Sequence, residues 1–100
     1  AIPGSRMKTR ASTPIDRARN LGPVSAGELA AVGITTREQL VELGWEEAFV
    51  RLVRAFPHRC HLNMCCALIG AVEDLDWRRL PPSLATDARR AVGALRATQR

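Results

Sequence analysis

Apolar and polar positions alternate at helical spacing over most of this chain. Trp45, Ala48, Phe49, Leu52, Val53 and Phe56 recur at i, i+3, i+4, i+7, i+8 and i+11, one face of a helix that Pro57 ends. Glu46 and Glu47 in its first turn and Arg51 and Arg54 in its last oppose the helix dipole in the stabilising sense. The next segment, from about Leu62 to Asp74, is apolar nearly all round (Leu62, Met64, Cys65, Cys66, Ala67, Leu68, Ile69, Ala71, Val72). A helix with no polar face belongs at the centre of a fold.

The flanking segments are shorter. Thr13 and Pro14 open a short helix running from Ile15 to Ala18 or Arg19, which stops at Asn20-Leu21-Gly22-Pro23. A second helix follows from about Pro23 to Val32, with Val24, Leu29 and Val32 as a narrow stripe and Gly33 as a left-handed cap. Thr35-Thr36-Arg37-Glu38 reads as a capping box, with Thr35 and Glu38 as its two ends, opening a helix that buries Leu40 and Leu43 and halts at Gly44. Asp76 caps a turn at Trp77–Leu80. Pro81-Pro82 then opens a last helix to about Ala97, with Leu84, Ala88, Ala91, Val92 and Leu95 inward and Arg89, Arg90 and Arg96 outward. No segment sustains the two-residue alternation of a half-buried strand, and no repeat of longer period is visible. The expected fold is all-α: five or six short helices packed at assorted angles, one domain over residues 14–97. Residues 1–13 have no apolar periodicity and read as a disordered tail or vector-derived residues, with Met7 as a start.

Composition narrows the function classes. The chain has 100 residues, 46% hydrophobic and only 4% aromatic, which suits one small helical core and not a sheet. The longest uncharged apolar run, Leu62–Val72, is too short to span a membrane, which takes roughly 20 residues. The net charge of +5 is unevenly placed. Residues 1–20 sum to +4, residues 21–48 to −4 through Glu28, Glu38, Glu42, Glu46 and Glu47 against Arg37, and the remainder to +5. A polyanion would therefore meet only part of the surface. Three cysteines, Cys60, Cys65 and Cys66, form no disulfide framework, and a reducing cytoplasmic setting follows.

The search for enzyme chemistry ends quickly. His58, Cys60, His61, Cys65 and Cys66 crowd together but lack any C-x-x-C or other zinc spacing. Cys65 and Cys66 read as small core apolars. Glu46/Glu47 and Glu73/Asp74 are neighbours at helix ends, better placed as solvated dipole partners than as an acid–base pair. There is no glycine-rich phosphate loop. No catalytic residue, metal, cofactor or small-molecule substrate is expected.

One loop does carry chemistry. Asn20 and Gly22 tolerate left-handed backbone, Leu21 between them plugs inward, and a helix N-terminus follows at Pro23, Val24 and Ser25. That is the pattern of a helix–hairpin–helix, whose free N–H groups at the second helix can hold a DNA phosphate without reading bases. Arg17 and Arg19 add charge just before the turn. The candidate DNA-backbone residues are thus Arg17, Arg19, Asn20, Leu21, Gly22, Val24 and Ser25. The same turn chemistry also serves a plain packing corner between helices.

Arg19-Asn20-Leu21-Gly22-Pro23-x-Ser25-Ala26, Leu29 and Val32-Gly33-Ile34-x-Thr36, together with Leu75-Asp76-Trp77-Arg78-x-Leu80-Pro81, closely resemble the C-terminal domain of TfoX (Sxy), a bacterial family of DNA-transformation regulators. Leu40, Leu43-Gly44, Ala48, Leu62-Asn63, Ala67-Leu68 and Gly70-Ala71 continue the resemblance over about residues 18–82. It implies a SAM-like, helix–hairpin–helix-like orthogonal bundle. It also implies a positive regulator of competence genes that acts with other transcription proteins. The expected partners are double-stranded DNA, gripped without sequence specificity, or transcription proteins, or a second copy of the chain. The alternative expectation is a SAM-like protein-interaction or oligomerisation adaptor that does not touch DNA.

Overall fold

The computed structural model describes residues 13–98. Among them are five α-helices: α1 (Pro23–Ala31), α2 (Arg37–Leu43), α3 (Trp45–Ala55), α4 (Leu62–Glu73) and α5 (Pro82–Thr98). Three single 3₁₀ turns, Ile15–Arg17, Pro57–Arg59 and Trp77–Arg79, link them. The all-α expectation stands, with helix ends shifted by a residue or two. The expected tail over residues 1–12 lies outside the described residues.

α4 is the axis of the molecule, as its all-round apolarity requires. Met64, Cys65, Cys66, Leu68, Ile69, Gly70 and Ala71 are all buried, and α4 packs against α3, α5 and α2. α3 contributes Ala48, Phe49, Leu52 and Val53, α1 Leu29, α2 Leu40, and α5 Ala88 and Val92. Phe49 is fully enclosed, the largest side chain in this core. No buried side-chain polar atom among the described residues lacks a partner.

Two local expectations are corrected. The first helix is only the 3₁₀ turn Ile15–Arg17, and Thr13 does not cap it. Pro14 instead pairs with Thr36 in an isolated antiparallel bridge, with Ile15 N–H donating to the Thr35 carbonyl (3.0 Å) and Arg37 N–H to the Thr13 carbonyl (2.8 Å). Ala18 is extended, so the turn cannot propagate. The capping box sits one residue later than Thr35 and Glu38. Thr36 Oγ1 accepts from Gln39 N–H (3.1 Å), and Gln39 Oε1 accepts from Thr36 N–H (3.3 Å) and Thr35 N–H (2.7 Å). The bridge explains the register. An N-cap carbonyl must accept the first helical bond. The Thr35 carbonyl is already taken by Ile15, so Thr36 takes the role and receives Leu40 N–H at 3.2 Å. Glu38 is released to accept from Thr13 N–H at 2.7 Å, a bond that holds its carboxyl below the usual range.

α4 begins at an unusual cap. Its N-cap is His61, whose Nδ1 accepts from Met64 N–H at 3.2 Å. Burial pushes this imidazole down, and Arg59, His58 and Arg96 add repulsion in the same direction. A folded-state value below the unfolded one, near 6.5, gives stability that is complete above that pH and is lost as pH falls through the folded value. Protonation removes the accepting lone pair and with it the cap.

Two outcomes are expected. Urea melts of the wild type will show stability falling as pH drops below the ordinary imidazole range, while His61→Asn, which caps at any pH, will flatten that fall. Gly27→Ala and Gly93→Ala, in open space on α1 and α5, will each stabilise by about 0.5–1 kcal/mol. Gly70→Ala will cost about 1–3 kcal/mol, because its methyl would meet the Asn20 carboxamide and the Leu75 carbonyl.

Candidate functional site

The loop expected to bind a phosphate lies between the first 3₁₀ turn and α1, across the flank of α4. Its shape comes from Asn20, the one non-glycine residue before α4 with left-handed backbone among those described (φ 71°). Gly22 does not share that role. Its φ is −98°, and a methyl group there would meet nothing. The expected pair of left-handed residues is therefore one, and Asn supplies it because its short polar side chain tolerates that region.

The Asn20 side chain turns inward. Nδ2 donates to the Leu75 carbonyl at 2.8 Å and lies 3.5 Å from the Ala67 carbonyl, while Oδ1 accepts from Trp77 N–H at 3.4 Å. This ties the loop to the end of α4 and to the 3₁₀ turn that follows. Leu21 is buried beside it, the inward plug the pattern called for. Asn20 and Leu21 thus hold the loop, and what the loop offers outward is backbone.

That backbone is uncovered. Gly22 is the N-cap of α1 and provides no side-chain cap. Pro23 has no N–H, and the first helical bond runs from Ala26 N–H to the Gly22 carbonyl at 2.9 Å. The amides of Val24 and Ser25 have no acceptor among the described residues. Gly22, Pro23 and Val24 are exposed, and Val24 is 70% exposed, so no element covers this helix end. Arg17 and Arg19 are both exposed on the turn that precedes it.

Three cations join them that the linear sequence did not assign to the loop. Arg78 and Arg79 are exposed on the turn whose Trp77 N–H meets Asn20. Arg78 also reaches Asp76 (3.3 Å). A backbone bond from Arg78 holds that carboxyl low, with smaller contributions from the Arg78 guanidinium and from Arg19. On the other side Arg59 Nη2 lies 3.5 Å from Ser25 Oγ. Arg59 Nε donates to Glu28 at 2.6 Å, and His58 Nε2 stands 3.7 Å from the same carboxylate. The half-buried Arg59 neutralises the one acid on α1, which would otherwise oppose an anion at the helix start. The signal for Arg78 was present in the Leu-Asp-Trp-Arg motif. Nothing linear pointed to Arg59.

The cysteine cluster is inert by comparison. Burial, reinforced by Cys66, Cys60 and Glu46, pushes the Cys65 thiol up to about 12, and burial raises Cys66 as well. Such thiols are not nucleophiles at neutral pH. Among the described residues no group of His, Cys, Asp or Glu is placed to hold a metal ion, and no helix is long and apolar enough to cross a membrane.

The family model for the TfoX C-terminal domain matches residues 11–92. A crystal structure of an uncharacterized protein from Listeria monocytogenes, in a triclinic form, has the same fold. It is 26% identical, with a TM-score of 0.80, over 84% of this chain and 94% of that one. Among curated proteins none matches.

Asn20→Ala will cost about 1–3 kcal/mol in chemical denaturation, since it strands the Leu75 carbonyl and puts a strained residue at a positive φ. Asn20→Asp will not rescue it, because a carboxylate cannot donate to that carbonyl.

Proposed function

The chain belongs to the TfoX C-terminal domain family, and on that premise we propose that it is a non-enzymatic regulatory module of the DNA-transformation type, acting in the cytoplasm, that grips duplex DNA weakly by its backbone. The observation that carries the reading is the uncapped, exposed start of α1, where the Val24 and Ser25 amides face outward. Aligned N–H groups and the positive end of the helix dipole favour a phosphate there. Arg17 and Arg19 on the preceding turn, and Arg78 and Arg79 on the neighbouring one, extend the positive field along a strand. Contacts of this kind fix position on a duplex but read no bases, so the module supports transcription together with proteins that do read them.

A second reading rests on charge segregation. Glu38, Glu42, Glu46 and Glu47 are all exposed on α2 and the start of α3, with Glu47 partly engaged by Arg51 at 3.0 Å. That acidic surface suits a SAM-like adaptor meeting a basic patch on another protein or on a second copy. Duplex DNA decides between the two readings.

In an anisotropy titration at low salt, labelled duplex will bind with little sequence preference, and affinity will fall steeply as salt rises. Arg17→Gln with Arg19→Gln will lower the salt slope by about 2. Val24→Glu, fully on the surface, will weaken binding about tenfold without changing the melting temperature. Absence of binding to any duplex at low salt would leave the adaptor reading alone.

A further inference from the structure

A groove of about 490 Å³ runs between the end of α3 and the last turns of α5, away from the α1 loop. It is lined by Val50, Val53, Arg54, Pro57, Leu95 and Thr98. Its volume falls in the range of ligand sites, roughly 300–1,000 Å³. Its walls are two helices and its floor is aliphatic, with Val53 buried at the bottom and Val50 and Leu95 half-buried above it.

The rim is basic. Arg54 lines the groove and is exposed, and so is Arg96, next to Leu95. The described residues place no carboxylate in ion-pair range of either. Beyond Pro57 lie His58 and Arg59, and these two with Arg96 act together on His61, which puts them at one end of the molecule. The nearby acid, Glu28, is occupied by Arg59 and His58. An aliphatic floor with an unanswered cationic rim asks for a ligand that is apolar on one side and anionic at its edges.

We propose that this groove docks an acidic amphipathic helix of a partner protein, with its aliphatic ridge against Val50, Val53 and Leu95 and its carboxylates on Arg54 and Arg96. A helix laid between two helices presents apolar anchors at i, i+3, i+4 and i+7, which suits a trough of this form. A DNA backbone has no apolar ridge to fill the floor, so charge alone would leave those side chains wet. The docking is independent of the α1 loop, and the protein can hold both ligands at once.

The probe is a synthetic peptide of about four helical turns, leucine along one stripe and glutamate elsewhere, titrated into the isotope-labelled full chain and followed by amide NMR. Shifts are expected at Val50, Arg54, Leu95 and Thr98, with Leu21–Ala26 unmoved. Arg54→Glu with Arg96→Glu will weaken the peptide at least about tenfold while the melting temperature and any duplex binding by the α1 loop persist. The same peptide with lysine in place of glutamate will not bind. No shifts, equal binding of the lysine peptide, or shifts at these same residues on adding duplex DNA would each overturn the proposal, the last by assigning this end to nucleic acid.

Discussion

The carbonyl end of the central helix is held by side chains from the amino-terminal third of the chain. Asn20 takes the Leu75 carbonyl, while Arg37 donates from Nε to Ala71 (2.9 Å) and from Nη2 to Val72 (3.0 Å). These are the orphan acceptors that any helix leaves at its end. Here they are met by a neutral amide and a guanidinium, the latter also favoured by the helix dipole. Gly70 makes the arrangement feasible, because only a residue without a side chain lets Asn20 lie against α4. The turn at Asn20, the position of α1 and the outward aim of its first amides all follow from this docking.

The same docking separates the surface into regions of different charge. Turning Asn20 inward brings the Trp77–Arg79 turn alongside the loop, so cations nearly sixty residues apart in sequence share one surface. At the other end of α4, Pro57–Arg59 folds back on α1, and Arg59 cancels Glu28. The acids of α2 and α3 stay on the solvent side of their own helices. A protein with a modest net charge thereby offers a basic loop, an acidic face and a basic-rimmed groove. A regulatory domain that meets a polyanion and other proteins needs such separate surfaces.

The family match and the fold of the Listeria protein agree with an architecture that needs no catalytic centre to account for it. The reactive side chains are absorbed by the structure. His61 caps α4, Cys65 and Cys66 fill its core face, and Asp76 caps a turn. Exposed backbone amides and arginines are what remain, and these suit binding.

Periodicity by itself determined the helices, because a buried stripe at 3.6-residue spacing is a local property that α3 and α4 carry in full. It also determined the loop, through Asn20, the inward Leu21 and the proline that opens α1. Three things were decided only by the tertiary structure. The capping box moved from Thr35 to Thr36 because a bridge to Ile15 consumed the Thr35 carbonyl. Gly22 proved sterically ordinary, and the left-handed turn fell to Asn20 because its side chain finds acceptors on α4 and beyond. Arg59 entered the site from 34 residues away. Each is a long-range hydrogen bond or ion pair, and one chain read in order contains no term for partners that only folding brings within reach.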